Sequence, residues 1–506
     1  MTRAASRRRA PRPAPVLPQR PFAQTPRRLP PLEPLSADQI EAIHQAALGV
    51  LARQGMRVLA PQARELFRQA GAAVEGETVR LDPGLVAERL ATIPAAFTIE
   101  ARNPEHALRF GGSHVVYASV GGPAYVMDEE RGRRDGTMAE LVDFLRLVQA
   151  LNVIHQEGGG PFEPVELPAH TRYLDIYHAQ IRHLDKSWQT QTLGRARTLD
   201  GIAMAAIMLG TTAEGLLGRP VLVGVINTNS PLQLDVPMAE GLIALAEHGQ
   251  VNVVTPFTLA GAMAPVTLAG ALVLQHAEAM AGLVLTQIVR PGVPAVYGGF
   301  TSNVDMRSGS PAFGTPEYVK AAQVSGQLAR RLGVPFRSSN ATAANAVDAQ
   351  AAYESQMALW GALTGGAHLV KHAAGWMHGG LTASFEKLIL DAEMLQMLDA
   401  VAEPIGTAPE DLAVSAIAEV GPGGHFFGAA HTMSRYETAF HSPMLSNWDS
   451  YPTWRERGGV TATAAATAAW KALLSEAEDP PLDPGIDEAL ADYVARRKAA
   501  GGAPMN

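Results

Sequence analysis

Eight short β-rich runs, each beginning 30–43 residues after the last, constrain this chain more than any other feature. They begin near Val115 (VVYASV), Asn152 (NVIHQEG), Ser187 (SWQTQT), Val221 (VLVGVIN), Val251 (VNVVTP), Pro294 (PAVYGG), Pro335 (PFRSSN) and Ala367 (AHLVKH). The segments between them, 137–150, 171–184, 195–210, 236–249, 265–289, 315–332 and 348–364, are compatible with helix. Strand alternating with helix at this spacing implies right-handed crossovers and a parallel sheet. Eight such units fit a closed sheet, so the expected fold is α/β, a (β/α)8 TIM-type barrel over 113–384. A doubly wound open sheet is the alternative. Charged residues make up only 18% of the chain, as expected where strands are buried on both faces.

The flanks differ in character. Residues 1–34 form an Arg- and Pro-rich tail, with eight Arg and no acid in the first 30, and read as disordered. A small α+β cap is expected over 35–112, opened by the capping-box pattern Ser36-Ala37-Asp38-Gln39, with helices near 61–71 and 83–93 and strands near Thr78–Leu81, Phe97–Ala101 and His106–Phe110. A mostly helical extension occupies 385–506.

Composition excludes several functions. The chain has no Cys, which removes disulfides, thiolate nucleophiles and Cys-containing zinc sites. Net charge is −8 despite the basic tail, so the body is strongly acidic and nucleic acid is not the expected partner. The tail lacks an apolar core of signal-peptide type. The apolar stretch Phe257–Leu274 is broken by Pro265 and by Thr and Gly, and reads as a buried loop feeding a helix. A cytoplasmic protein is expected, with self-association into a homo-oligomer left open.

In a barrel the reacting groups gather where strands end. Those ends carry Gln156-Glu157, Gln189, Gln191, Asn227, Thr255, Tyr297, Ser338-Ser339-Asn340 and Lys371-His372. Amides and hydroxyls dominate, which suits holding a substrate more than moving protons. Gln189 and Gln191 share one strand face, and burial without partners would be costly, so that face is read as the interior. Phe162, Trp188, Tyr297, Phe313 and Trp376 cluster near strand ends, where aromatic faces either plug the mouth or bind a cation. The candidates for substrate binding are Gln189, Gln191, Asn227, Tyr297, Asn340, Trp376, Phe162 and Arg307; those for catalysis are Glu157, His372 and Asp348. No metal-binding set is expected. Residues Gly299–Gly314 (GFTSNVDMRSGSPAFG) read as a long loop without secondary structure, either a surface insertion or a lid presenting Arg307 to a substrate carboxylate or to a docked partner.

The segments GGGPFEPVELPAHTRYLDIYHAQIRHLDKSWQTQT, NTNSPLQLD, VTPFTLAGAMAPVTLAGALVLQHAEAMAGLVLTQ, DAQAAYES, GWMHGGLTASFEKLILDAEM and GGHFFGAAHT, taken together, resemble the trimethylamine methyltransferase family. The resemblance spans about 40–470. It implies methyl transfer from a methylated amine to a corrinoid carried by a separate small protein. The archetype carries pyrrolysine, whereas the corresponding stretch here, in or near Arg337–Asp348 (RSSNATAANAVD), holds only standard residues. The chain is therefore similar to the non-pyrrolysine branch, which implies a glycine betaine-like quaternary amine as substrate. An Asp-x-His-x-x-Gly cobalamin motif is absent, since Asp175-Ile176-Tyr177-His178 has the wrong spacing, so no cofactor is expected on this chain itself. Two alternatives stand beside this reading: a Schiff-base lyase using Lys371, and a quaternary-amine-binding protein without catalysis.

Overall fold

The computed structural model describes residues 17–504. Its centre is a parallel seven-stranded sheet: β1 (Val116–Ser119), β2 (Gln189–Thr190), β3 (Val223–Ile226), β4 (Val251–Val254), β5 (Ala295–Gly298), β6 (Phe336–Ser339) and β7 (Leu369–Ala374). The strands lie in the order β1-β7-β6-β5-β4-β3-β2. Helices follow in alternation: α1 (Met138–Ala150), α2 (Arg172–His183), α3 (Arg195–Met208), α4 (Val236–Glu247), α5 (Leu268–Val289), α6 (Pro316–Leu332), α7 (Ala349–Gly365) and α8 (Phe385–Val401). Local chemistry sets these boundaries. Thr315 caps α6 with Pro316 in its first turn, and Gly333 closes it in the left-handed conformation at φ 69°.

The run at Asn152 does not form the expected eighth strand. Only Gln156 joins the ladder, through isolated parallel bridges to Ala118 on one side and Ser187 on the other. Lys186 holds the turn that stands there instead. Its buried ammonium donates to the carbonyls of Val148, Leu151 and Ile154, at 2.9, 2.8 and 2.8 Å. Val148 lies in the last turn of α1, Leu151 caps it and Ile154 follows, so one side chain ties the end of α1 to the turn that stands in place of an extended run. The two edges of the sheet are nevertheless connected, because the Ser119 N–H donates to Gln156 O and the Glu157 N–H to Ser187 O.

The interior near the strand starts is filled by Val116, Ala118, Val223, Val251, Val253, Val296 and Leu369, closed from below by Ile99, Leu108 and Phe110 of the hairpin Phe97–Ile99/Leu108–Phe110. The α+β cap lies against α5, with Ser36 and Gln39 completing the capping box of its first helix, Ala37–Arg53. Helix α5 is thus covered on its outer side as well as by the sheet. That explains its apolarity all round: it is long and apolar enough to cross a membrane, yet 78% of its most apolar window is buried within the fold. The earlier stretch beginning at Phe257 is a strand, Phe257–Ala260.

The tail is not disordered over its described part. Residues 17–34 run along the body as an irregular strap: the Arg27 N–H donates to Ser113 O, the Leu32 N–H to Thr364 O, and Phe22 packs 4.2 Å from the His106 ring. Its Pro residues stop it joining a sheet, and backbone and side-chain bonds to the body hold it instead. Residues 1–16, which contain most of the Arg, lie outside the described part. In the C-terminal extension, helix Ala462–Glu476 packs on α8, and helix Pro484–Ala499 packs on α2 and α3.

Candidate active site

Alternation along the strands decides which side chains face inward. Val223 and Val225, Val251 and Val253, Val296, and Leu369 belong to or pack against the interior cluster. By the same period Asn227, Thr255, Arg337 and Lys371 point inward at the other end, together with Gln189 and Gln191. These six residues line one cavity of about 290 Å³ at the C-terminal ends of the strands. Gly121, Gly122, Gly158 and Gly159 form a side of it that carries no side chains.

The floor is a continuous polar relay. Lys371 Nζ donates to Gly158 O and to Gln189 Oε1, both at 2.6 Å. Gln189 Nε2 then donates to Gln156 Oε1 at 2.7 Å, and Gln156 Nε2 to Ser187 Oγ at 2.8 Å. Burial, aided by the nearby Arg337 and opposed by Glu157, lowers the Lys371 pKa to about 7. Glu157 does not line the cavity. Its carboxylate turns back to accept the N–H groups of Gly159 and Gly160, each at 2.8 Å, and also the Gln180 amide. It caps its own turn, and burial raises its pKa.

The apolar wall comes from small sheets on the rim, which the strand–helix pattern did not reveal. Residues Gly299–Gly314 are not a bare loop. Phe300–Val304 pairs in parallel with Phe257–Ala260 and in antiparallel fashion with Pro311–Ala312. This sheet sets the Phe257 and Phe300 rings 5.2 Å apart. A second rim sheet joins Trp376–Met377, Thr382–Ser384, Tyr125–Asp128 and Gly132–Asp135, and carries Trp376 to within 6.1 Å of Phe300. Phe313 backs both Phe300 and Trp376, at 5.5 and 6.3 Å. The His372 ring lies 4.2 Å from that of Trp376, tilted by 51°, on a backbone held at φ 54°, where β7 is irregular, and its Nδ1 has no partner among the described residues. A non-glycine residue held there costs energy, and such strain gathers at functional sites. Burial, then Lys371 and Arg337, push its pKa well below the usual imidazole value.

Among the residues expected at the site, Gln189, Gln191, Asn227, His372 and Trp376 line the cavity, as does Lys371. The others lie elsewhere. Tyr297 has the opposite parity to Val296 and faces the helix layer, where its hydroxyl meets Gln275 Nε2 at 3.2 Å and His276 Nδ1 at 3.1 Å. Phe162 is buried against Phe144, Asn340 donates to Ala373 O behind the strands, and Asp348 caps α7. Arg307 is exposed at the turn between two rim strands, where its N–H bonds Asp305. Arg337, Phe257, Phe300 and Glu163 were missed. A charged residue within the run PFRSSN, at the parity of Ser339, was the available signal for Arg337. No short-range pattern announced the two Phe. No group of three or more His, Asp or Glu placed to hold a metal occurs among the described residues.

Residues 2–502 match the model of the trimethylamine methyltransferase (MTTB) family. The chain belongs to that family. A glycine betaine methyltransferase of Desulfitobacterium hafniense is 36% identical over 470 residues, covering 93% of this chain and 98% of that one. A proline betaine:corrinoid methyltransferase of Eubacterium limosum is 28% identical over 375 residues, covering 72% and 76%. A trimethylamine methyltransferase of Methanosarcina mazei is 26% identical over 467 residues, covering 89% and 92%. Membership fixes the class of reaction, methyl transfer.

Proposed function

We propose that this chain moves a methyl group from a small quaternary amine of the glycine betaine type to the Co(I) of a corrinoid on a separate protein. The architecture is read as a (β/α)8 barrel whose eighth strand is reduced to the Gln156 bridge. The observation that carries the functional reading is the aromatic wall of Phe257, Phe300 and Trp376 on a cavity without an acid–base pair. Each aromatic face attracts a desolvated ammonium by about 0.5–2 kcal/mol. The more similar betaine-named relative supports a quaternary amine over trimethylamine.

The chemistry fits that inventory. The methyl group leaves with the C–N electron pair staying on nitrogen, which becomes a neutral tertiary amine, so no proton has to be delivered to the leaving group. The corrinoid, when docked, supplies the nucleophile. This chain supplies orientation and a dry surround, and a positioned reactant pair gains most from those. A cavity of about 290 Å³ holds a small amine but not a corrinoid macrocycle. The acceptor must therefore approach from outside the cavity, one side of which, Gly121, Gly122 and Gly159, presents only backbone. Lys371, the residue a Schiff-base mechanism would use, is held by two acceptors beneath the substrate and completes the floor.

Anaerobic incubation with a Co(I) corrinoid protein tests the reading through cobalamin absorbance. Glycine betaine or a related carboxylated quaternary amine is expected to be demethylated, and trimethylamine left untouched. Turnover of trimethylamine alone overturns it.

The reading also includes a cytoplasmic location and self-association. Residues 403–443 leave the end of α8 and return to the same helix, where the Met444 N–H donates to Glu393. This arm exposes Ile405, Phe427 and Phe440, at 91, 87 and 86%. Apolar, charge-poor surface of this kind suits an obligate homomeric contact. Light scattering is expected to give a mass of at least twice the chain's 53.5 kDa, reverting to the monomer in Phe427→Asp/Phe440→Asp. A monomeric wild type refutes it.

A further inference from the structure

Within the cavity, one charged group is left over. Arg337 is 2% exposed, and among the described residues its Nε and Nη1 have no hydrogen-bond partner. Burying a guanidinium without a partner costs several kcal/mol, so such a group calls for an explanation. The surroundings do not supply one. Lys371, two residues along the neighbouring strand from Arg337's ladder partner Leu369, adds further positive charge wherever it holds its proton and offers no anion. Glu157 lies below with its oxygens engaged by Gly159, Gly160 and Gln180. Glu163 stands at the rim, 3.3 Å from Arg172. Among the described residues the cavity therefore holds one inward guanidinium with a lysine beside it, and its one lining carboxylate, Glu163, is paired with Arg172.

The aromatic wall adjoins this positive corner. The Arg337 guanidinium carbon lies 5.4 Å from the centre of the Phe300 ring, and Phe300 also belongs to the wall with Trp376. An ammonium alone would be repelled by Arg337 and Lys371. A ligand that carries its own anion, a short distance from the ammonium, satisfies both ends at once.

We infer that Arg337, seconded by Lys371, binds the carboxylate of the substrate and so restricts this enzyme to short zwitterionic amines. The inference rests on the amine reading above but adds a residue and a selection rule. A guanidinium offers paired N–H donors in a plane that matches a carboxylate. A substrate with a neutral tail leaves the Arg337 charge buried and unpaired, and rejection of analogues lacking a required polar group is strong for that reason. Trimethylamine and choline fail by this rule, and glycine betaine passes.

Calorimetric binding with three probes tests it on the full chain. Glycine betaine has both charges, choline has the ammonium with a hydroxyl tail, and 3,3-dimethylbutanoate has the carboxylate with carbon in place of nitrogen. Wild type is expected to bind glycine betaine at least about 30-fold more tightly than choline, the order of discrimination that an unpaired buried group imposes. Arg337→Gln is expected to abolish that preference and to lose 3,3-dimethylbutanoate, while choline affinity does not fall. Arg337→Lys should keep part of the preference. The melting temperature of ligand-free Arg337→Gln should not drop, because an unpaired buried charge has been removed; a structural role predicts a clear drop. Equal binding of betaine and choline by wild type, or an equal loss of both in Arg337→Gln, overturns the inference and leaves the amine reading standing. Binding of 3,3-dimethylbutanoate as tightly as betaine would keep the carboxylate site and overturn the amine reading.

Discussion

Replacing Lys186 with Met is expected to lower the unfolding free energy by about 3 kcal/mol or more, since each buried carbonyl left unsatisfied costs ~1–3 kcal/mol. Val148, Leu151 and Ile154 all lose their donor, partly offset because an ammonium no longer has to be desolvated. The effect should depend on pH in a definite sense. Burial lowers the Lys186 pKa to about 7, opposed by Asp185, against ~10.4 for an exposed lysine. Between those values the unfolded chain binds the proton and the native state does not, so native stability rises with pH across that window. The deficit of Lys186→Met should therefore widen from pH 7 to about 10 and stay flat below 7, as followed by urea denaturation at several pH values. A pH-independent difference, or one under about 1 kcal/mol, would show that these carbonyls find other donors.

Gly121→Ala is expected to cost about 100-fold or more in methyl transfer, because a displacement of about 1 Å in a positioned site is enough for that. A Cβ at Gly121 would stand 1.9 Å from the carbonyl oxygen of Gly158, and one at Gly158 would stand 2.2 Å from that of Ser119. Backbone lies against backbone here, so neither side can yield by turning a side chain. The Gly158 carbonyl also seats Lys371, and moving it disturbs the floor on which Gln189 and the substrate rest. Kinetics with glycine betaine and an anaerobic corrinoid acceptor read the loss, and the melting temperature should fall as well. Rates within threefold of wild type would mean that the two loops separate without cost to the site.

What the sequence by itself determined is the periodic part of the molecule. Helix and strand alternation, capping boxes at Ser36 and Thr137, and Pro316 and Gly333 bounding α6 are local consequences of hydrogen bonding and backbone sterics, and they fall where the pattern puts them. Strand parity likewise put Gln189 and Gln191 on one face, because side chains alternate regardless of the rest of the fold, and the cost of burying unpartnered amides pointed to the interior. The same rule, applied to Tyr297 beside Val296, sends that ring outward. Being near a strand end does not decide which way a residue faces.

Only the tertiary structure decided the rest. The segment at Asn152 has strand-forming residues, yet it turns, and an ammonium 32 residues away, from Ile154 to Lys186, ties it to the end of α1. The strap over 17–34 is held by single long-range bonds that no local composition announces. The aromatic wall combines Phe257, Phe300 and Trp376 from rim strands outside the main sheet, so their meeting depends on register between distant segments. Arg337 reads in sequence as one more charged residue. It becomes a candidate anion site only because the assembled cavity places Lys371 beside it and ties up the carboxylate of Glu157, and a charge balance of that kind exists only in three dimensions.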